Sequence, residues 1–98
     1  MTNAEIMAAL KVDLGITVTN YDSRLEHLIL TAEREITAAG ATIQMENESV
    51  SDPAMQQLII MYAGWLWRKR ESGEGMPRMV KRALNNAVFS AKMKTEGE

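Results

Sequence analysis

The side chains best suited to chemistry in this 98-residue chain are few and scattered. Its single histidine, His27, stands beside Leu28 in a chain without cysteine and with no HxxxH or HxxE spacing around it. It reads as a surface or boundary residue, and no metal is expected. Ser23, Ser49, Ser51, Ser72 and Ser90 lie outside any GxSxG turn, and nothing in the sequence brings the lone imidazole to them, so hydrolase chemistry is unsupported. Glu33 and Glu35 are two positions apart, which on a helix turns them about 200° from each other, so they do not share a substrate. Glu46 and Glu48 fall in a polar stretch and read as solvated. Gly73 and Gly75 stand in GEGMP, which matches neither a Walker loop nor a dinucleotide fingerprint, and the acid between them repels phosphate. The sequence therefore predicts no enzyme: no catalytic, cofactor-binding or metal-ligating residue, and no cofactor.

What remains is binding chemistry. Trp65 and Trp67 precede Arg68, Lys69 and Arg70, and aromatics beside cations suit base stacking. Two positions apart on a helix, the rings face different ways, so one is expected in the core and the other near the surface or an interface. With Arg78, Lys81 and Arg82 in the next segment, these residues form the candidate interface with another subunit or a partner. An alternative reading makes the same cations, Arg68, Lys69, Arg70, Arg78, Lys81 and Arg82, one phosphate-contacting patch of a small helical nucleic-acid-binding regulator. The pair of segments from Pro53 to Lys92 departs from a DNA-reading helix pair, because its connection is glycine-rich and its first helix is long and apolar.

The net charge of −2 hides an uneven distribution. Residues 1–52 hold nine acids and three bases (Lys11, Arg24, Arg34), a net of −6, while residues 53–98 hold eight bases and four acids, a net of +4. Opposite halves in one small chain suit head-to-tail self-association as readily as DNA, with solvated faces of opposite sign as the plain alternative. A length of 98 residues, 46% of them apolar and 24% charged, predicts one folded globular domain over 1–98. The absence of cysteine excludes a disulfide scaffold and fits a reducing compartment. The longest apolar stretch, Leu58 to Trp67, is about half a membrane span, and no basic-then-apolar leader opens the chain, so a cytoplasmic-type protein without membrane contact is expected.

The elements that must position these groups are helical. Asp52 and Pro53 form a cap and first-turn pair that starts the central helix, which runs to Arg70. Leu58, Ile59, Tyr62, Ala63 and Leu66 fall at helical spacing, and Met55, Ile60, Met61, Trp65 and Trp67 widen the stripe to most of the circumference. Arg68, Lys69 and Arg70 end it at the negative pole of its macrodipole, and Gly73 and Gly75 stop it. Thr2 and Glu5 form a capping box that opens a first helix with Ile6, Met7, Leu10 and Leu14 on its apolar side and Gly15 as its stop. Residues 16–19 alternate but have no evident partner, and read as loop. Asn20 or Asp22 is expected to cap a second helix from about Tyr21 to Ala38, with Leu25, Leu28, Ile29, Ala32 and Ile36 inside and Gly40 at its end. Residues 41–51, ATIQMENESVS, read as an irregular acidic loop that is partner-facing or mobile. After the SGEGMP break, Pro77 restarts a helix through about Lys92, with Met79, Val80, Ala83, Leu84, Ala87 and Val88 as its stripe, and residues 93–98 are expected to fray. The fold class is all-α: a small bundle of four helices around a central apolar helix.

Four stretches carry a resemblance: LKVDLGI (10–16), DSRLEHLILTAEREI (22–36), DPAMQQLIIMYAGWLWRKRE (52–71) and MPRMVKRALNNAVF (76–89). In this order and over nearly the whole chain, the pattern resembles the small helical head-tail connector, or adaptor, proteins of tailed bacteriophages and prophages. The resemblance implies an all-helical structural protein without catalytic residues. Such proteins assemble as a homo-oligomeric ring, twelve-fold when assembled, beneath the portal after DNA packaging. The ring extends the channel through which DNA passes without sequence-specific binding, and presents a surface to the tail or stopper protein. It further implies assembly in the bacterial host cytoplasm and a final place in the virion at the head-tail interface. On that footing Trp65, Trp67, Arg68, Lys69, Arg70, Arg78, Lys81 and Arg82 become candidate subunit or portal contacts, and the segment from Ser90 onward a candidate portal-docking arm. The 41–51 stretch departs from the pattern in length and motif.

Overall fold

The computed structural model describes residues 1–72 and 75–96, with side chains described for 1–69 and 75–93. The chain folds into four helices, α1 (Asn3–Leu14), α2 (Asp22–Ala38), α3 (Pro53–Ser72) and α4 (Arg78–Glu96). Between α2 and α3 lies a small hairpin of β1 (Met45–Glu46) and β2 (Ser49–Val50). The class is all-α, as the apolar periodicities predict.

Helix α3 is the hub. Its Met55, Leu58, Ile59, Ile60, Tyr62 and Ala63 are buried, and Met61, Trp65, Leu66 and Trp67 pack partly against the same core. It touches α1, α2, α4 and β2. From α1, Ile6 and Leu10 enter the core, and from α2 Leu25, Leu28, Ile29, Ala32 and Ile36 do so. Each fully buried aliphatic side chain contributes about 1.5–3 kcal/mol of hydrophobic stabilisation. The result is a slab of 46 × 33 × 17 Å.

The start and stop signals act locally. The Glu5 N–H donates to Thr2 Oγ1 (3.2 Å) and the Thr2 N–H to Glu5 Oε1 (2.9 Å), completing the capping box of α1. Gly15 takes the left-handed conformation (φ 72°), with the Ile16 N–H reaching back to the Lys11 carbonyl (2.9 Å). At α3, Asp52 Oδ1 accepts from the Ala54 N–H (3.0 Å), so Asp52 is the cap that the sequence predicts. Helix α2 differs. Tyr21 occupies its N-cap without a side-chain hydrogen bond, and neither Asn20 nor Asp22 caps it. Asp22 is engaged elsewhere: its Oδ1 lies 2.8 Å from Lys11 Nζ, an ion pair that joins the end of α1 to the start of α2.

The stretch 41–51 is not wholly irregular. Met45 pairs with Val50 and Glu46 with Ser49 in antiparallel register. The turn residues Asn47 and Glu48 both have positive φ (52° and 62°), the requirement of a two-residue type I′ turn. Met1 extends this structure: its amine donates to the Val50 carbonyl (2.6 Å) and the Val50 N–H to the Met1 carbonyl (2.7 Å). Gln56 Nε2 of α3 also donates to the Val50 carbonyl (2.7 Å), so hairpin, α1 entry and α3 are tied at one point.

Helix α4 packs chiefly on α3 through Val80, Ala83, Leu84, Ala87 and Val88. Met79, placed by its spacing in that stripe, is instead 74% exposed. It lies about 100° from Val80, beyond the edge of the covered face. The helix also continues to Glu96, past the expected end at Lys92, so residues 93–96 of the expected frayed tail are helical, while 97–98 lie outside the described residues. Gly73 of the expected stop signal lies outside them as well.

Gly64 of α3 faces α1, and a Cβ built there would meet Leu10 Cδ1 at 3.7 Å, an ordinary contact distance. Alanine is favoured over glycine in a helix interior by about 1 kcal/mol. Gly64→Ala is therefore expected to raise the melting temperature by about 4–8 °C in thermal unfolding followed by circular dichroism. A fall would mean that α1 and α3 approach too closely for a methyl group.

Candidate functional site

The predicted interface residues gather at one end of the slab, where α3 ends and α4 begins. Trp65 and Trp67 lie on the penultimate turn of α3, Arg68 follows, and Arg78, Lys81 and Arg82 occupy the first turns of α4. Arg68, Lys69, Arg78, Lys81 and Arg82 are exposed, and the side chain of Arg70 lies outside the described residues. A shallow cleft of about 190 Å³ opens between the end of α1, α3 and the start of α4, with Trp65, Arg68 and Met79 on its wall.

The tryptophans do not divide into one core ring and one surface ring. Both are half-buried and both are used within the subunit. Trp65 meets Tyr62 edge to face (centroids 5.4 Å apart), and Lys69 Nζ lies 5.0 Å from the centre of its ring. That cation–π contact between residues four apart directs Lys69 onto its own helix. Trp67 meets Tyr21 edge to face at 5.4 Å, which ties the end of α3 to the entry of α2. Tyr21, between the expected caps Asn20 and Asp22, thus holds the N-cap position and serves packing.

At the other end of α3, a cleft of about 430 Å³ separates residues 42–44 and the α3 start from α4. Its wall on α4 is made of small side chains, Ala83, Ala87, Ser90 and Ala91, with Asn86 beside them. The carboxylate on its rim, Asp52, is held as the α3 cap. Among the described residues no three His, Cys, Asp or Glu side chains converge to hold a metal ion. His27 is exposed on α2.

Glu33 and Glu35 point to different partners, as their two-residue spacing requires. Glu33 Oε1 accepts from Asn3 Nδ2 of α1 (3.3 Å), and Glu35 Oε1 accepts from the Tyr62 hydroxyl of α3 (3.3 Å). Burial raises the Glu33 carboxyl above its ordinary value, a shift that the Asn3 hydrogen bond only partly opposes. The Tyr62 hydroxyl is also raised, first by burial and then by the negative charge of Glu35. Asn3 Oδ1 is buried and has no hydrogen-bond partner.

Two surface features were not read from the sequence. On the side of α4 away from α3, Phe89 and Met93 are 64% and 56% exposed, one helical turn apart. The signal was present, since Phe89 lies about 180° from Val80 on the helix. The second is the hairpin, where Met45 is 50% exposed beside exposed Glu46, Asn47 and Glu48. Compared with known protein families, curated proteins and solved structures, the chain matches none of them.

A carboxyl whose folded-state value is raised favours folding while protonated, and this contribution is lost as pH rises through the folded value. Glu33→Gln keeps an acceptor for Asn3 Nδ2 and removes the partly buried charge. The variant is therefore expected to melt higher than the parent at neutral pH. The gap should narrow as pH falls through the raised folded value and be closed below the ordinary glutamate value of about 4.3. Equal melting temperatures at neutral pH would show that Glu33 is not penalised by its burial.

Proposed function

We propose that this chain is a structural subunit of a phage or prophage head-tail connector ring, which binds the portal and extends the DNA channel toward the tail. The observation that carries this reading is the apolar surface that one subunit leaves uncovered. Helix α4 is apolar on its α3 side and exposes Phe89 and Met93 on the other, with Met79 at its start. Exposed aromatic and methionine side chains grouped on one helix suit burial against another protein. The order of elements supports the reading, because all four stretches that carry the resemblance lie on the four helices and their immediate flanks. A slab only 17 Å thick also offers broad faces to neighbours around a ring.

In this proposal the partners are further copies of the chain, the portal protein and the tail or stopper protein, and DNA passes through the ring without sequence-specific contact. The role is structural rather than catalytic. Assembly takes place in the host cytoplasm and the product resides in the virion. The cations at the α3–α4 junction orient the subunit more than they hold it, because exposed ion pairs are individually weak.

Mixing the purified chain with the portal protein of the same genome, followed by negative-stain electron microscopy, tests the reading. A ring seated on the portal is expected, and Phe89→Asp with Met93→Asp should reduce its occupancy. Failure to associate with itself at high concentration, together with failure to bind the portal, would overturn it.

A further inference from the structure

Two exposed surfaces at opposite ends of α3 have matching chemistry. At the start of α4, Arg78, Met79, Lys81 and Arg82 are all exposed. No acid lies in the first turn of this helix, so these cations sit at the positive end of its macrodipole, where they oppose helix formation. Their placement is not explained by the stability of α4.

The hairpin is the counterpart. It presents Met45 with Glu46 and Glu48, and the sequence holds no base between Arg34 and Arg68. Glu48 keeps a carboxylate at a turn position with φ 62°, where the backbone favours glycine or asparagine. A sequence selected only for a stable turn would place glycine there.

From the cap residue Asp52 to Arg68, α3 rises about 24 Å, and the hairpin and α4 share no extended contact. The two surfaces therefore do not satisfy each other within one subunit, whereas a second copy set head to tail brings them together. We infer that the hairpin of one copy docks on the first turns of α4 of a second copy. Glu46 and Glu48 face Arg78, Lys81 and Arg82. The inference rests on the connector reading in one respect, that this repeating contact closes into a ring. A contact of this kind is heterologous: each copy uses one surface to give and a different one to receive.

A six-residue hairpin covers on the order of a few hundred Å² per partner, less than the ~800 Å² of a standard interface. The contact is thus weak for a pair of subunits. It shows at high protein concentration and falls as salt screens the charges.

Sedimentation velocity of the full chain at low and high salt tests the contact. Concentration-dependent association at low salt is expected. Glu46→Lys with Glu48→Lys should weaken it at least about tenfold, and so should Arg78→Glu with Arg82→Glu, each with an unchanged circular dichroism spectrum. Mixing the two reversed proteins should restore it, because each then meets its opposite at both surfaces. Glu48→Gly adds an independent readout: melting should rise by about 4 °C as the turn relaxes, while association weakens. A chain that stays monomeric at low salt overturns the inference, as does association that neither reversal changes or that mixing fails to restore. Ring formation on the portal that survives both reversals would overturn this contact and leave the connector reading standing.

Discussion

Helix α3 is apolar around most of its circumference, and a chain of this length hides such a helix only by wrapping every other element around it. Helices α1 and α2, strand β2 and α4 each cover one part of α3. Leu10 of α1 packs beside Gly64, and Gln56 fixes the hairpin to the first turns of α3. Because α4 has chiefly α3 to pack on, no further layer covers its outer side. The exposure of Met79, Phe89 and Met93 follows from that arithmetic of faces.

Charge plays no part in the core. Among the described residues no polar or charged side chain is fully buried, so ionisable groups act at the edges of the packing. Lys11 with Asp22 joins two helix ends, Asn3 with Glu33 joins α1 to α2, and Lys69 rests on Trp65. These contacts position elements that hydrophobic burial already holds together, in keeping with the small contribution of partly exposed ion pairs. With the interior free of charge, the acidic and basic halves of the chain are available for orienting one molecule against another.

The parts of this structure that were legible in the sequence are those with short-range causes. The Thr2–Glu5 box, the Gly15 stop and the Asp52 cap each depend on atoms within a few residues, and each acts as its spacing predicts. The buried sides of α1, α2 and α3 were legible for a related reason, since helical periodicity relates sequence position to direction. The errors lie where a distant element decides. Asp22 pairs with Lys11 instead of capping α2, and Tyr21, at the N-cap position, has its ring against Trp67 of α3. The hairpin escaped because its turn lacks glycine, the usual mark of two successive left-handed residues.

By itself, then, the sequence determined four helices, the caps of α1 and α3, the central place of α3 and the separation of acidic from basic residues, because propensity, capping and periodicity are properties of neighbouring positions. Only the tertiary structure decided which apolar residues stay outside. Met79 and Phe89 are as apolar as Val80 and Val88, and what divides them is whether α3 lies on that side of α4. It likewise set the acidic hairpin and the basic α3–α4 junction at opposite ends of one body. Linear distance along a chain does not encode that separation, which is fixed by the length and direction of the helix between them.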